Sequence, residues 1–260
     1  MNSISKLWQY RELLYMVAWR DVRIRYKQSV MGFLWAILMP SLIVGAGILV
    51  RVGGAKYTGS TISFDDIASV MVRAVAWSFF IAGIRFGTNS LLANATLVTK
   101  IAFPKEVFPV AATLSSLFDF VIATAAVLLT LVVMGWVPTV QAFWGFLLLA
   151  MLVMLTTGLA LLLSAANLFF RDVKYIVEIM LTYAIFFTPV LYEASVLGKW
   201  RTVVMLNPMA PILEGLADTM VYGRAPELQW LAYSFVVSAA TLLFGYWLFK
   251  QLEPKFAESI

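Results

Sequence analysis

The sequence contains no cysteine and no histidine. Without cysteine there is no disulfide and no thiol nucleophile, and without either residue the zinc sites built on those ligands are excluded. The missing histidine also removes the usual general base near neutral pH. No G-x-x-x-x-G-K-[ST] occurs, so the chain does not cradle nucleotide phosphates through a P-loop, and any use of ATP falls to a partner. Charge is scarce as well, with Asp, Glu, Lys and Arg making up 13% of the residues. Most membrane-enzyme mechanisms lose a part they need.

What is present is apolar surface. Of the 260 residues 62% are hydrophobic, and the mean hydropathy is +0.89, against roughly 45–50% apolar residues in a soluble domain. The composition describes an all-α, polytopic membrane protein. The net charge of +5 does not point to nucleic acid, because the Lys and Arg residues lie between apolar runs rather than in one patch, which is a topological pattern. The first uncharged run is much longer than the roughly 7–15 residue core of a cleavable signal peptide, and more follow, so it reads as a retained span.

The chain is organised around Leu7 to Pro40, where a basic amphipathic segment (about 7–27) runs straight into an uncharged span. Arg20, Arg23 and Lys27 fall at i, i+3 and i+7 and share one helix face, while Trp8, Leu14, Met16, Val17 and Trp19 supply apolar surface. That is the pattern of a helix lying in the membrane interface. About 20 apolar residues cross a bilayer, and 28–50 carries no charge.

Further spans are expected at 67–92, 107–134, 142–166, 175–192 and 228–249, within one domain, 1–260. The second is interrupted by Arg73 and Arg85, which must face protein or water or snorkel to an interface. Lys56, Gly59, Asp65 and Asp66 belong to an outer turn. Asn94 to Pro109 reads as a bent, charged inner loop, with Pro104 and Pro109 bracketing Lys105 and Glu106. Pro189 should bend the outer end of the fifth span. Glu193 to Glu227 is too interrupted to cross, and suits two short re-entrant helices in the outer leaflet between spans 5 and 6.

The charge count supports six spans with both termini cytoplasmic. Lys6, Arg11, Arg20, Arg23, Arg25, Lys27, Arg85, Lys100, Lys105, Arg171, Lys174, Lys250 and Lys255 fall inside; Arg51, Lys56, Lys199, Arg201 and Arg224 fall outside. Thirteen against five follows the positive-inside rule, with Arg73 unassigned.

Five segments carry a likeness in order: RDVRIRYKQSVMGFLWAILMP from Arg20, KIAFPKEVFPVA from Lys100, NLFFRDVKYI from Asn167, FTPVLY from Phe187 and NPMAPILEGLADTMVYG from Asn207. Together they resemble the permease subunit of ABC-2 type exporters for cell-surface polysaccharides, with the O-antigen, teichoic-acid and capsular exporters nearest. The resemblance implies a homodimer in the inner membrane, paired with two copies of an ABC ATPase that bind ATP and Mg, moving a lipid-linked polysaccharide outward. It implies no catalytic residue, no metal site and no cofactor in this chain. Carried onto this sequence, Arg20, Asp21, Arg23 and Lys27 look like an interface helix facing the ATPase. Phe103, Pro104, Lys105 and Glu106 look like the coupling helix, and Arg171 and Asp172 share that inner side. Asn207 to Gly223 resembles the short outer helices that cap the channel.

Plain positive-inside anchoring would explain the basic helix equally, and Phe103 to Glu106 could be a mere loop. Trp8, Trp136, Trp144, Trp230 and Trp247 fit interfacial belts. Phe33, Trp35, Trp77, Phe80, Phe186, Phe187 and Tyr192 lie deeper or within the motifs, where flat apolar faces would let a sugar chain slide, so they are candidate channel contacts. Asp65 and Asp66 could form half a metal site, but no second acidic cluster faces them, and a solvated loop is the simpler reading. Asp119, roughly 15 Å up its helix, is too deep to snorkel, and Arg85 at similar depth is its expected partner; Ser, Thr or backbone caps, or a wet channel, are the other ways to hold it. Other classes stay open: an ABC-2 permease for a lipid or drug, or a membrane-embedded glycan or prenyl transferase. The transferase would need an acidic metal site or a base, and neither is visible. A secondary transporter would show repeats, also not visible.

Overall fold

The structure is a computed structural model that describes residues 9–27, 29–58, 61–101 and 103–256. The expectations placed on Lys6, Leu7, Trp8, Gln28 and Gly59 lie outside them. Among the described residues there are helices and turns and no strand. In chain order the α-helices are α1 (Arg11–Tyr26), α2 (Leu34–Thr58), α3 (Phe64–Ala93), α4 (Ala95–Lys100) and α5 (Val107–Val133). They continue with α6 (Trp144–Phe169), α7 (Val173–Ala184), α8 (Arg201–Met205), α9 (Met209–Met220) and α10 (Leu228–Leu252).

Among the described residues five helices are long and apolar enough to cross a membrane: Leu34–Gly54, Phe64–Ala93, Val107–Val133, Val140–Phe169 and Leu228–Lys255. They answer to the first four expected spans and the last. The expected span over 175–192 differs. There α7 has 12 residues, about 18 Å at 1.5 Å per residue, and turns occupy 185–190. The break is chemical: Pro189 cannot continue the ladder, and the Thr188 hydroxyl donates to the Ala184 carbonyl at 2.8 Å. The interface segment does not run straight into the first span either. A turn separates them, with Gly32 at φ +50° and its N–H bonded to Ser29 Oγ at 3.1 Å.

α3 is the central helix, packed on α2, α5, α6 and α9. Ser63 caps it: its hydroxyl accepts from Asp66 N–H at 3.2 Å, and Asp66 Oδ2 accepts from Ser63 N–H at 2.8 Å. Asp65 and Asp66 therefore open a helix rather than sit in a solvated loop, where their charge suits the positive end of the helix dipole. Small residues set the spacing of the bundle. A Cβ added to Gly87 would lie 2.5 Å from Ala160 Cβ, so α3 and α6 meet at backbone distance. The closest approach joins α6 to α10, where Gly158 faces the backbone of Thr241 and Leu242, and Gly245 faces the Gly158 carbonyl.

Two large apolar clusters divide the bundle, beside a small third one of Ala194, Met205 and Ala210. The larger holds Trp77, Phe80, Leu152 and Leu155 with Ile212, Leu213 and Leu216 of α9. The other lies at the end where α1 and the C-terminal residues meet, and joins Val17, Leu91, Phe108, Leu168, Phe249 and Phe256. We call this end proximal and the opposite end distal.

Candidate functional site

Three segments converge on the proximal cluster: α1 through Leu13, Leu14 and Val17, the 101–106 loop through Phe103, and the end of α6 through Leu168 and Phe169. These are the segments that the sequence singles out for docking. α1 buries Val17 and Val22 and leaves Arg23 and Lys27 exposed on the other side. Arg20 pairs with Asp21 at 2.8 Å, and the Arg23 guanidinium lies 5.8 Å from the Trp19 ring centre. Arg171 and Asp172 are exposed in the turn between α6 and α7. Asn167, fully buried, holds that turn against α3 by donating to the Thr88 carbonyl at 3.0 Å and accepting from Lys174 N–H at 3.2 Å.

Phe103 to Glu106 form a turn that leads into α5, and the short helix in this region is α4. Phe103 packs edge-on against Phe108 with ring centres 5.4 Å apart, and Lys105 Nζ lies 4.7 Å from the Phe103 ring centre. Burial pulls the Lys105 ammonium below the usual lysine range, with Glu253 opposing it. The expectation for Glu106 needs correcting. It is fully buried, and its Oε2 accepts from Lys250 Nζ at 2.6 Å, so it faces the bundle and not a docking partner. Lys250 also donates to Glu253 Oε2 at 2.9 Å, and Glu253 Oε1 accepts from Lys105 N–H at 2.8 Å. The end of α10 thus braces the loop, and Pro104 adds a fixed φ.

The expected Asp119–Arg85 pair does not form. Asp119 accepts from Arg25 and from the Tyr26 hydroxyl, both in the last turn of α1. Arg25 also reaches Ser115 Oγ at 3.1 Å and lies 4.1 Å from the Phe86 ring centre. Burial, and then the Asp119 carboxylate, raise the Tyr26 hydroxyl well above the usual phenol range, so it stays a donor. Arg85 instead makes a two-pronged pair with Glu178 of α7, Nε to Oε1 at 2.7 Å and Nη2 to Oε2 at 2.8 Å. Depth along the spans relates Asp119 only to charges within spans, and Arg25 and Tyr26 lie outside them on α1. A signal was available: at 100° per residue Arg25 lies about 140° from Arg20, off the shared face of Arg20, Arg23 and Lys27. Glu178 is likewise the one acidic residue in the α7 sequence.

The distal end is held by ion pairs. Arg73, 1% exposed, looks inward and donates to Glu214 Oε2 at 3.2 Å and to the Tyr192 carbonyl at 3.3 Å. Arg51 bridges Asp66 at 2.6 Å and Glu193 at 3.1 Å. Glu214 accepts from Ala194 N–H at 2.9 Å, and Tyr222 donates to Glu193 at 2.8 Å. Burial raises Glu214 above the usual carboxylate range despite Arg73. Glu193 goes the other way, because Tyr222 and Arg51 outweigh its burial. Asp218, desolvated and repelled by Glu214, is raised to about 6. A small cavity lined by Arg201, Glu214, Asp218, Glu227 and Trp230 lies beside them.

The seven aromatic candidates split. Phe33, Trp35, Phe186 and Phe187 are exposed, and Tyr192 is partly so, its hydroxyl donating to the Phe186 carbonyl at 3.1 Å. Trp77 and Phe80, 1% and 8% exposed, are core residues with ring centres 5.5 Å apart. They reach no surface that a sugar chain could touch, because α3 is covered on those faces.

Among the described residues neither end holds a nucleophile set against a base. What the chain offers is a braced proximal surface, a distal ion-pair network and a bundle between them. The sequence model of the ABC-2 type transporter family matches residues 12–221. The chain belongs to that family. It is similar to an O-antigen export system permease protein, RfbA, of Myxococcus xanthus, 28% identical over 267 residues that cover 100% of both chains. It is also similar to a protein of the same name from Klebsiella pneumoniae, 25% identical over 95% of this chain and 94% of that one. Membership of the ABC-2 family makes the subunit a component of a transporter.

Proposed function

We propose that this ABC-2 subunit forms the membrane path of an ATP-driven exporter, which moves a lipid-linked cell-surface polysaccharide of the O-antigen kind from the cytoplasmic to the outer side of the inner membrane. The observation that carries the reading is the end-to-end similarity to O-antigen export permeases in a chain whose sequence contains no P-loop. ATP and Mg belong to a partner ATPase, in two copies, against two copies of this subunit. The proximal surface is then cytoplasmic, as the distribution of Lys and Arg requires. The ATPase docks on Arg20, Asp21, Arg23 and Lys27 of α1, on Phe103, Pro104 and Lys105, and on Arg171 and Asp172.

On this reading α7 with the turns through Tyr192 makes the fifth of six crossings. Ala194–Met205 and α9 sit in the outer leaflet as short re-entrant elements, α9 largely buried in the bundle and Ala194–Met205 leaving Val196, Trp200 and Val203 exposed. Force applied at the 101–106 loop passes into α5 directly and into α10 through Lys250 and Glu253. Phe33, Trp35, Phe186, Phe187 and Tyr192 remain the aromatic contacts of the sugar chain. Deleting the subunit's gene in its host should remove long-chain polysaccharide from the cell surface and accumulate it inside, with recovery on re-expression. Unchanged surface polysaccharide in the deletion strain would refute the proposal.

A further inference from the structure

Beyond Leu252 the chain makes one 3-10 turn, Glu253–Lys255, in which Pro254 fixes a φ, and Phe256 follows with no exposed surface. This segment holds two of the three proximal segments at once. Glu253 Oε1 accepts the Lys105 N–H at 2.8 Å, a bond to the backbone of the 101–106 loop. The Phe256 ring centre lies 5.9 Å from that of Phe169, at the end of α6, and 5.1 Å from that of Phe249 in α10. Val17 of α1 belongs to the same cluster. Residues 250–256 lie beyond the stretch 12–221 that the family model matches, so they stand outside the pattern on which membership rests.

Lys250 fixes the carboxylate that does this. Its Nζ donates to Glu253 Oε2 at 2.9 Å and to the buried Glu106 Oε2 at 2.6 Å, so Glu253 gives one oxygen to the ammonium and the other to the loop. Bonds of this charge-assisted kind are roughly twice as strong as neutral ones. The loop therefore cannot swing away from α10 without breaking one. We infer that residues 250–256 are the keystone of the proximal surface, and that Glu253 is the positioning residue that makes the 101–106 loop and the end of α6 move as one body. The inference rests on the exporter reading above and names the part that keeps hydrolysis and transport in step. Glu253 acts through the Lys105 backbone and not by contact with nucleotide. Without it, a stroke of the ATPase bends the loop instead of moving the bundle, and ATP is hydrolysed with less transport.

The test uses the complete exporter with its ATPase in liposomes, and measures ATP hydrolysed and lipid-linked glycan transferred together. Glu253→Ala leaves the Lys250–Glu106 pair in place, so no buried carboxylate is stranded, but it removes the acceptor of the Lys105 N–H. Glycan transferred per ATP should fall about fivefold or more, the worth of one hydrogen bond. Glu253→Gln keeps a carbonyl oxygen for that N–H and should recover most of the ratio. A second readout does not depend on cargo: amide hydrogen exchange at 250–256 should change when a non-hydrolysable ATP analogue is added to the parent complex, and should not change in Glu253→Ala. Glu253→Met, of similar size and also without an acceptor, takes its place should Glu253→Ala fail to assemble. An unchanged ratio in either variant would overturn the inference, as would a Glu253→Gln variant no better than Glu253→Ala, or exchange in the parent that ignores nucleotide. Failure of both Glu253→Ala and Glu253→Met to assemble would also overturn it, because Glu253 would then hold the fold and not the stroke. A parent exporter that moves no glycan, yet shows nucleotide-dependent exchange that Glu253→Ala abolishes, would instead refute the assigned cargo and leave the keystone standing.

Discussion

Asp119 shows how much depends on single charges in this bundle. Its carboxylate is held by Arg25 and Tyr26, and removing it strands a guanidinium that is only one-fifth exposed. Breaking a buried pair from one side costs about 3–5 kcal/mol, and partial exposure should reduce that to about 2–4 kcal/mol. Asp119→Ala should therefore lower the detergent melting point more than Asp119→Ala with Arg25→Ala, while Asp119→Ala with Arg85→Ala should show no such relief. Equal melting of the single and the Arg25 double variants would show that α1 is not anchored there. Asp218 makes a prediction about pH. Its folded-state value of about 6 lies above the ordinary Asp value of about 3.9. The folded state therefore holds the proton more tightly, and stability present below pH 4 is lost as pH rises through 6. Melting between pH 4 and 7 should fall with pH, and Asp218→Asn should flatten part of that fall. Glu214, raised in the same direction, should retain the remainder.

At the scale of elements, the α6–α10 contact is the most exacting. Gly158 and Gly245 bring two backbones together, with a Cβ on Gly158 falling 2.7 Å from Leu242 N and one on Gly245 falling 2.5 Å from the Gly158 carbonyl. No rotamer relieves a clash with backbone, so Gly158→Val should destabilise by at least the roughly 1–3 kcal/mol typical of overpacking. The loss should appear as a lower melting point and a poorer yield of folded protein. Gly53→Ala, where nothing lies within 4 Å, should be close to silent. The helices were legible because runs of apolar residues bounded by charge fix span length: four long spans and the last match their expected segments within a few residues, apart from the later start at Leu34. α7 was not legible as a short helix, because 175–192 is apolar apart from Glu178 and two threonines and only Pro189 hints at a stop. The glycine contacts escaped for another reason, since a small residue in a span does not say which helix it meets.

For the whole molecule, sequence indicated which segments gather at one end of the bundle more reliably than which side chains meet. Positive-inside counting and motif order placed α1, the 101–106 loop and the α6–α7 turn on one side, and all three share the proximal cluster. Ion-pair partners were harder to foresee, because pairing depends on helix rotation. Glu106 turned inward to Lys250, and Arg85 turned toward α7. On the proposed function this chain is a transport path with no hydrolytic activity of its own, driven by a separate ATPase. The most direct measurement is reconstitution of the subunit in liposomes with and without that ATPase, following ATP hydrolysis and the appearance of lipid-linked polysaccharide on the far side. The expected result is no hydrolysis and no transfer by the subunit alone, and ATP-dependent transfer when both are present. ATP hydrolysis by the purified, partner-free subunit, or glycan transfer without the ATPase, would contradict it.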